Sequence, residues 1–292
     1  MRKKIMAAIM IATMTIGIVA CGSSKDNNAQ STTGETAQTE TEQITTVTPG
    51  KLTVATSPDF APYEFYSVNE DGTPELAGFD IALAGYIADY LGLELEIVPV
   101  DFDGVLMEVQ TKSVDIGISG LSPDPKREAI MDFSELYYVG GQSFVTSKAN
   151  KDKFKSLDDT NNSNLEIGAQ TGSIQVDLAN TYSSSADIIQ LTKVTDIVAE
   201  VLAGKLDGAY IETPVAESYA KNYPDLCIAL EVPYEGVEGS AVGVSKGNDA
   251  LLKGVNEAIT QALKDGTMDE FIATANEKAS GEIIEGLLDD NK

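Results

Sequence analysis

From Lys51 onward, short apolar stretches alternate with amphipathic ones, and this alternation constrains the fold more than any other feature of the chain. "KLTVATS", "LELEIVPV", "DIGISG", "QSFVTSK", "LEIGAQ", "IIQLT", "LDGAYIE", "LCIAL" and "SAVGVS" read as strands. The segments between them carry helical spacing. In "GFDIALAGYIADYLG", Ile81, Ala84, Ile87, Ala88 and Leu91 share one face, Asp80 is placed as the N-cap and Gly92 as the stop. "DGVLMEVQTKSV" is helical, a helical pattern follows Pro125, and a helix begins near "GSIQVDLAN". "VTDIVAEVLAGK" sets Val194, Ile197, Val198, Val201 and Leu202 on one side, and Pro214 suits the first turn of "PVAESYAKNY". "DALLKGVNEAITQALKDG" and "MDEFIATAN" close the run as helices. Such alternation implies an α/β fold with parallel-type sheets flanked by helices, and its length suits two lobes. Ligands of these sheets bind beyond the carboxyl ends of the strands. That rule selects "SPDFAPYEF", "VDFDG", "SGLSPDPKR", "QTGS" and "IETP".

The first 50 residues follow a different logic. "MRKK" is a basic n-region, the apolar run Ile5–Ala20 is short for a membrane span, and Cys21 follows it. Ile18-Val19-Ala20-Cys21 resembles a bacterial lipobox, so residues 1–20 are expected to be a lipoprotein signal peptide and Cys21 the lipidated (palmitate-bearing) N-terminus. The Ser/Thr/Gln/Gly-rich stretch up to residue 50 has too few apolar groups to offset the entropy of ordering, and 21–50 is read as a flexible tether. Both point to an extracytoplasmic body anchored to the outer face of the cytoplasmic membrane, of Gram-positive type.

Composition removes several functions. The chain has 292 residues, no histidine and two cysteines, and its formal charge is −26. With Cys21 committed to an anchor, Cys227 has no intramolecular partner and reads as a small hydrophobe in a strand. No zinc site, other metal site, cofactor or histidine-based triad is expected. The acidic balance argues against nucleic acid. A monomer is expected.

Against that acidity the chain carries two arginines, Arg2 in the n-region and Arg127 in "SGLSPDPKREAIMDFS". A guanidinium grips a carboxylate through two parallel N–H···O bonds, which an ammonium cannot match. Glu212, at a strand end, can take an ammonium group. "QTGS" opens a helix, so N–H groups around Thr171 to Ser173 can face an anion, although the stretch lacks the lysine and spacing of a nucleotide P-loop. Phe60 and Phe102 follow strands and offer apolar faces that suit aliphatic stems and cations alike.

The ordered set "DFAPYEF", "GFDIALA", "DFDGVLMEVQTKSVDIGISGLSPDPKR", "MDFSELYY", "IGAQTGS" and "LDGAYIETPVA" resembles the family 3 extracellular solute-binding proteins, the amino-acid-binding components of ABC importers. The resemblance covers residues from about 51 to 278. It implies two α/β lobes of the type II periplasmic-binding-protein kind, 51–139 plus 240–292 and 141–235, hinged by two crossing strands near Val139–Gly141 and Gly236–Ser240. It further implies Arg127 on the α-carboxylate of a polar L-amino acid, with Thr171 and Ser173 sharing that carboxylate. Gly120 and Ser122 would lie on the head group, Glu212 on the α-ammonium, and Phe60 and Phe102 around the side chain.

Three positions depart from the family pattern. Glu212 stands where most relatives have Asp, Ser57 where some carry an acid, and Asp124 where Thr or Ser is common. Asp124 could orient the guanidinium or cap a helix. Gln170, Asp59 and Asp101 are candidates for specificity, with basic and amide side chains in view. The implied partner is an ABC permease and the implied activity is binding without turnover. A ligand-sensing or adhesive surface lipoprotein, or a prephenate/arogenate-type dehydratase on the same fold, is the alternative.

Overall fold

The computed structural model describes residues 44–69, 71–237 and 239–280. The signal peptide and Cys21 lie outside the described residues, as does the tether up to residue 43. Residues 44–50 do not behave as tether. Ile44 packs on the core, the Val47 N–H donates to Asp115 Oδ1 (2.7 Å), and Asn248 donates to the Thr45 carbonyl (2.9 Å). An apolar side chain and a turn at Thr48 that accepts from Lys51 tie this stretch to the first strand.

In chain order the elements are β1 (Lys51–Thr56), β2 (Asp59–Phe60), β3 (Glu64–Val68), β4 (Pro74–Ala77), α1 (Phe79–Leu91), β5 (Glu94–Pro99), α2 (Phe102–Gln110), β6 (Ile116–Gly117), α3 (Pro125–Glu128), β7 (Met131–Tyr138) and β8 (Gln142–Ser147). Then come β9 (Glu166–Gln170), α4 (Ile174–Tyr182), β10 (Asp187–Leu191), α5 (Val194–Leu202), β11 (Gly208–Glu212), α6 (Thr213–Asn222), β12 (Leu226–Val232), β13 (Ser240–Ser245), α7 (Asp249–Asp265) and α8 (Thr267–Ala279).

Two five-stranded sheets organise them, in the orders β5-β1-β6-β13-β7 and β10-β9-β11-β8-β12. The order is the same in both: a first strand flanked by the second and third, then a strand that has crossed from the other lobe, then the fourth. The two-lobed α/β architecture is as expected, but the sheets are mixed rather than wholly parallel. β1 runs parallel to β5 and β6, and β9 parallel to β10 and β11. The crossing strands β13 and β8 are antiparallel to both of their neighbours, because the chain enters each of them from the opposite lobe.

Residues 139–141 make the first crossing and the segment between Val232 and Ser240 the second, and none of their described residues is in strand conformation. Helices cover the sheets through the stripes that the spacing predicts: α5 buries Val194, Ile197, Val198 and Val201 against β9 and β11. Full burial of each such side chain contributes roughly 1.5–3 kcal/mol.

Three local readings change. Gly78, not Asp80, caps α1, and Asp80 is a buried first-turn residue. The helical pattern after Pro125 lasts one turn, because Met131–Tyr138 is needed as the strand that pairs with β13. A small antiparallel sheet, β2-β3-β4, lies between β1 and α1, in a stretch the alternation leaves unassigned. Among the described residues no helix is long and apolar enough to cross a membrane, and no group of three or more potential ligand side chains is placed to hold a metal.

Candidate functional site

The carboxyl ends of β1, β5 and β6 in one lobe and of β9 and β11 in the other carry the loops singled out from the sequence. Arg127 lies on the single turn α3 and is 5% exposed. Its Nη1 donates to the Ser122 carbonyl (2.8 Å), its Nη2 reaches across to the Gly172 carbonyl of the other lobe (3.2 Å), and its Nε lies 3.2 Å from Asp124 Oδ2. The guanidinium also sits over the Phe102 ring, 5.4 Å from its centroid. Burial lowers the Arg127 pKa and Asp124 opposes that shift. Both roles considered for Asp124 hold together. Its Oδ1 caps α3 by accepting from the N–H groups of Lys126 (2.7 Å) and Arg127 (3.3 Å), while its Oδ2 orients the guanidinium.

Gly120 has φ 55°, and a Cβ there would meet the Phe60 ring at 2.9 Å, so this close approach requires glycine. Its N–H donates to Asp80 Oδ2 (2.8 Å), which also accepts from the Tyr137 hydroxyl (2.9 Å). Ser122 is buried beside it. Asp80 and the equally buried Glu64 act on each other's ionisation. Ser119 Oγ donates to Glu64 Oε1, whereas Glu64 Oε2 and Asp80 Oδ1 find no N–H or O–H donor. Two buried carboxyls placed together disfavour each other's ionised form. Burial, reinforced by Asp80, drives Glu64 well above its ordinary pKa, and burial takes Asp80 to about 7.

The opposite lobe contributes Glu212, the last residue of β11, which is 4% exposed. Its Oε1 accepts from the Tyr63 hydroxyl of the first lobe at 2.6 Å. Burial raises its pKa to about 8; Tyr63 lowers it and Asp80 raises it further.

Asp59 joins the two lobes most densely. Its Oδ2 accepts from the Val194 N–H (2.5 Å) and Gln170 Nε2 (3.2 Å), its carbonyl from the Tyr219 hydroxyl (3.0 Å), and its Oδ1 from Ser57 Oγ (3.0 Å). Burial lifts its pKa to about 6, with Val194 and Ser57 opposing. Ser57 thus acts on Asp59 rather than standing as an acid itself.

The "QTGS" turn differs from expectation. The Thr171 N–H donates to Leu191 O (2.9 Å) and the Ser173 N–H to Gln170 O (3.1 Å), which Ser173 Oγ also bonds at 2.7 Å. These N–H groups close the turn and extend the sheet instead of facing an anion. Asp101, at the N-terminus of α2, makes no capping bond through its side chain. A cavity of about 350 Å³ opens beside Arg127, lined in part by Asp124, Lys126, Gly172, Ser173 and Asp177. The candidate residues Arg127, Ser122, Gly120, Phe60, Phe102, Ser57 and Asp59 lie on one lobe and Glu212, Gln170, Thr171 and Ser173 on the other, with bonds across at Arg127–Gly172, Tyr63–Glu212 and Asp59–Gln170. The sequence reading missed Tyr63, the Glu64–Asp80 pair, the Val194 N–H and Tyr219. Glu64 and Asp80 left a signal, being acids inside "PYEF" and "GFD" where the neighbours are apolar.

Two mixed α/β lobes with polar, charge-bearing loops meeting between them define the class of two-lobed solute-binding proteins. The comparisons narrow this. Residues 52–275 match the bacterial extracellular solute-binding proteins, family 3, and the chain belongs to that family. It is 30% identical over 275 residues to the arginine-binding extracellular protein ArtP of Bacillus subtilis, covering 92% of this chain and 96% of the relative. It is 28% identical over 226 residues to the L-cystine-binding protein TcyJ of Escherichia coli, covering 75% and 80%. Among solved structures, the amino acid ABC transporter substrate-binding protein AbpA of Streptococcus pneumoniae, bound to L-arginine, superposes with a TM-score of 0.76. That pair is 33% identical, with 80% of this chain and 97% of the other covered.

Proposed function

We propose that this protein captures a polar L-amino acid between its lobes and delivers it to the permease of an ABC importer. The observation that carries the reading is reciprocal. The buried cation Arg127 and the buried acid Glu212 belong to different lobes, and each already bonds to the other lobe, at the Gly172 carbonyl and the Tyr63 hydroxyl. A zwitterion presents the complementary pair: carboxylate to Arg127, α-ammonium to Glu212. A ligand bridging the two stabilises the closed arrangement over the open one by its differential contacts.

Asp59 and Gln170, buried with Ser57 near the head-group site, select the side chain, and an acid there favours a basic or amide ligand. Phe60 and Phe102 supply the apolar walls. The lobes take residues 51–139 plus 240–292 and 141–235, and hinge at the two crossings. A pair matched to a zwitterion serves binding, not turnover. Residues 1–20 direct export, and lipidated Cys21 holds a monomer at the outer face of the cytoplasmic membrane.

A thermal-shift screen of the twenty amino acids with ornithine, citrulline and cystine tests this. Ligand at about 100 times Kd stabilises the folded state by about 2.7 kcal/mol, and basic or amide members are expected to give the largest shifts. A flat profile across the panel refutes the function.

A further inference from the structure

Glu212 is a buried carboxyl with no lysine or arginine bonded to it among the described residues, and its hydrogen bond comes from one phenol. The groups packed around it are Tyr63, Gly140 and Pro214. A Cβ on Gly140 would lie 2.5 Å from Oε1 and 3.3 Å from both the Pro214 ring and the Tyr63 hydroxyl. The first crossing thus passes directly over the carboxyl. The titratable groups that act on it or feel it are Tyr63, Asp80, Tyr137 and Tyr138.

Tyr63 is fully buried in an aromatic cluster, its ring centroid 4.3 Å from Phe79, 5.4 Å from Phe60 and 5.5 Å from Tyr138. A phenyl ring would fill that place equally well. The hydroxyl is therefore the part of the side chain that packing does not require, and it is aimed at Glu212 Oε1 from the opposite lobe.

We propose that Tyr63 is a positioning residue of the ligand site, whose hydroxyl pins Glu212 Oε1 so that Oε2 faces the α-ammonium group of a bound amino acid. The inference rests on the amino-acid-binding reading above. Glutamate has one more rotatable bond than aspartate, and a carboxyl left free to wander loses part of its affinity in being ordered. The phenol orders it beforehand and also donates to the ionised form, so the carboxylate that meets the ammonium is both fixed and stabilised.

Tyr63→Phe keeps the ring and removes the donor. With L-arginine, L-glutamine and L-cystine as probes, titration calorimetry is expected to show binding weakened about 10- to 100-fold for the probe that the wild type binds, as for loss of a hydrogen bond to a charged group. The acid limb of the affinity–pH profile is expected to move to higher pH, because the carboxylate has lost its stabilising donor. A ring acting by packing alone would leave that limb in place. In a Glu212→Asp background the shorter side chain falls away from the phenol, so adding Tyr63→Phe there is expected to change affinity less than twofold.

Wild-type affinity and an unshifted pH profile in Tyr63→Phe overturn the proposal while leaving the binding function intact. An equal loss in both backgrounds also overturns it. A wild type that binds none of the probes, nor any member of the amino-acid panel, overturns the function and the positioning role together.

Discussion

Ligand binding near neutral pH is expected to expel close to one proton, and Glu212 is its source. With no lysine or arginine bonded to it among the described residues, burial holds this carboxyl at a pKa of about 8. At pH 7 it is then about nine-tenths protonated. An α-ammonium arriving within hydrogen-bond distance favours the charged form and reverses the balance. Forcing ionisation costs about 1.4 kcal/mol at pH 7 and about 2.7 kcal/mol at pH 6. The sign follows from proton counts: the free protein binds more protons than the complex, so affinity rises with pH. The slope is close to tenfold per unit from about pH 6 to 7, and it flattens above about 8, where Glu212 is already ionised. Calorimetry at pH 7 in phosphate and in Tris checks this directly. The two apparent enthalpies are expected to differ by about 0.9 times the difference in buffer ionisation enthalpy. Glu212→Gln is expected to bring that factor to nearly zero while weakening binding. Equal enthalpies in the two buffers for the wild type, or undiminished release in Glu212→Gln, would refute the reasoning.

Two substitutions extend the test. Arg127→Lys keeps the charge but cannot reproduce the three-way engagement with Ser122, Gly172 and Asp124. It is expected to weaken amino-acid binding by about 2–5 kcal/mol by calorimetry, and an unchanged affinity contradicts the carboxylate role. Gly78→Ala is expected to destabilise the fold by about 3 kcal/mol or more. Gly78 has φ 123°, and a Cβ would overlap the Tyr63 carbonyl oxygen at 1.9 Å, so backbone must move. A denaturant midpoint close to wild type would contradict this.

The sequence made one half of the site far more legible than the other. Arg127 stood out because lysine supplies almost every other basic group, and its place beyond β6 followed from strand order alone. Glu212 was equally visible at the end of an apolar strand. Their partners were not. The Tyr63–Glu212 bond joins residues 149 apart in the chain, and the contacts of Asp59 with Gln170, Val194 and Tyr219 span 111, 135 and 160 positions. No local periodicity encodes such pairings.

Asp80 shows how a local rule misleads. An acid at the start of a helix is a good cap by propensity, but here it is turned inward, where Gly120 and Tyr137 donate to it. The turn at "QTGS" errs in the same direction: its N–H groups looked free because the strand that takes one of them, β10, lies some twenty residues on. The β2-β3-β4 sheet escaped because strands as short as Asp59–Phe60 carry no period.

The crossing strands impose an order of assembly on a chain that emerges from its N-terminus. All five strands of the second sheet, β8 to β12, lie between Gln142 and Val232, so that body can complete itself as soon as this stretch is out. The first sheet cannot. β7 finds its neighbour only in β13, and β6 has β1 on one side but waits for Ser240–Ser245 on the other. The body that carries Arg127 begins first and finishes last, around a neighbour already formed. A chain stopped at Val232 would keep the Glu212 half of the cleft and present the Arg127 half as a torn sheet with two open edges facing each other.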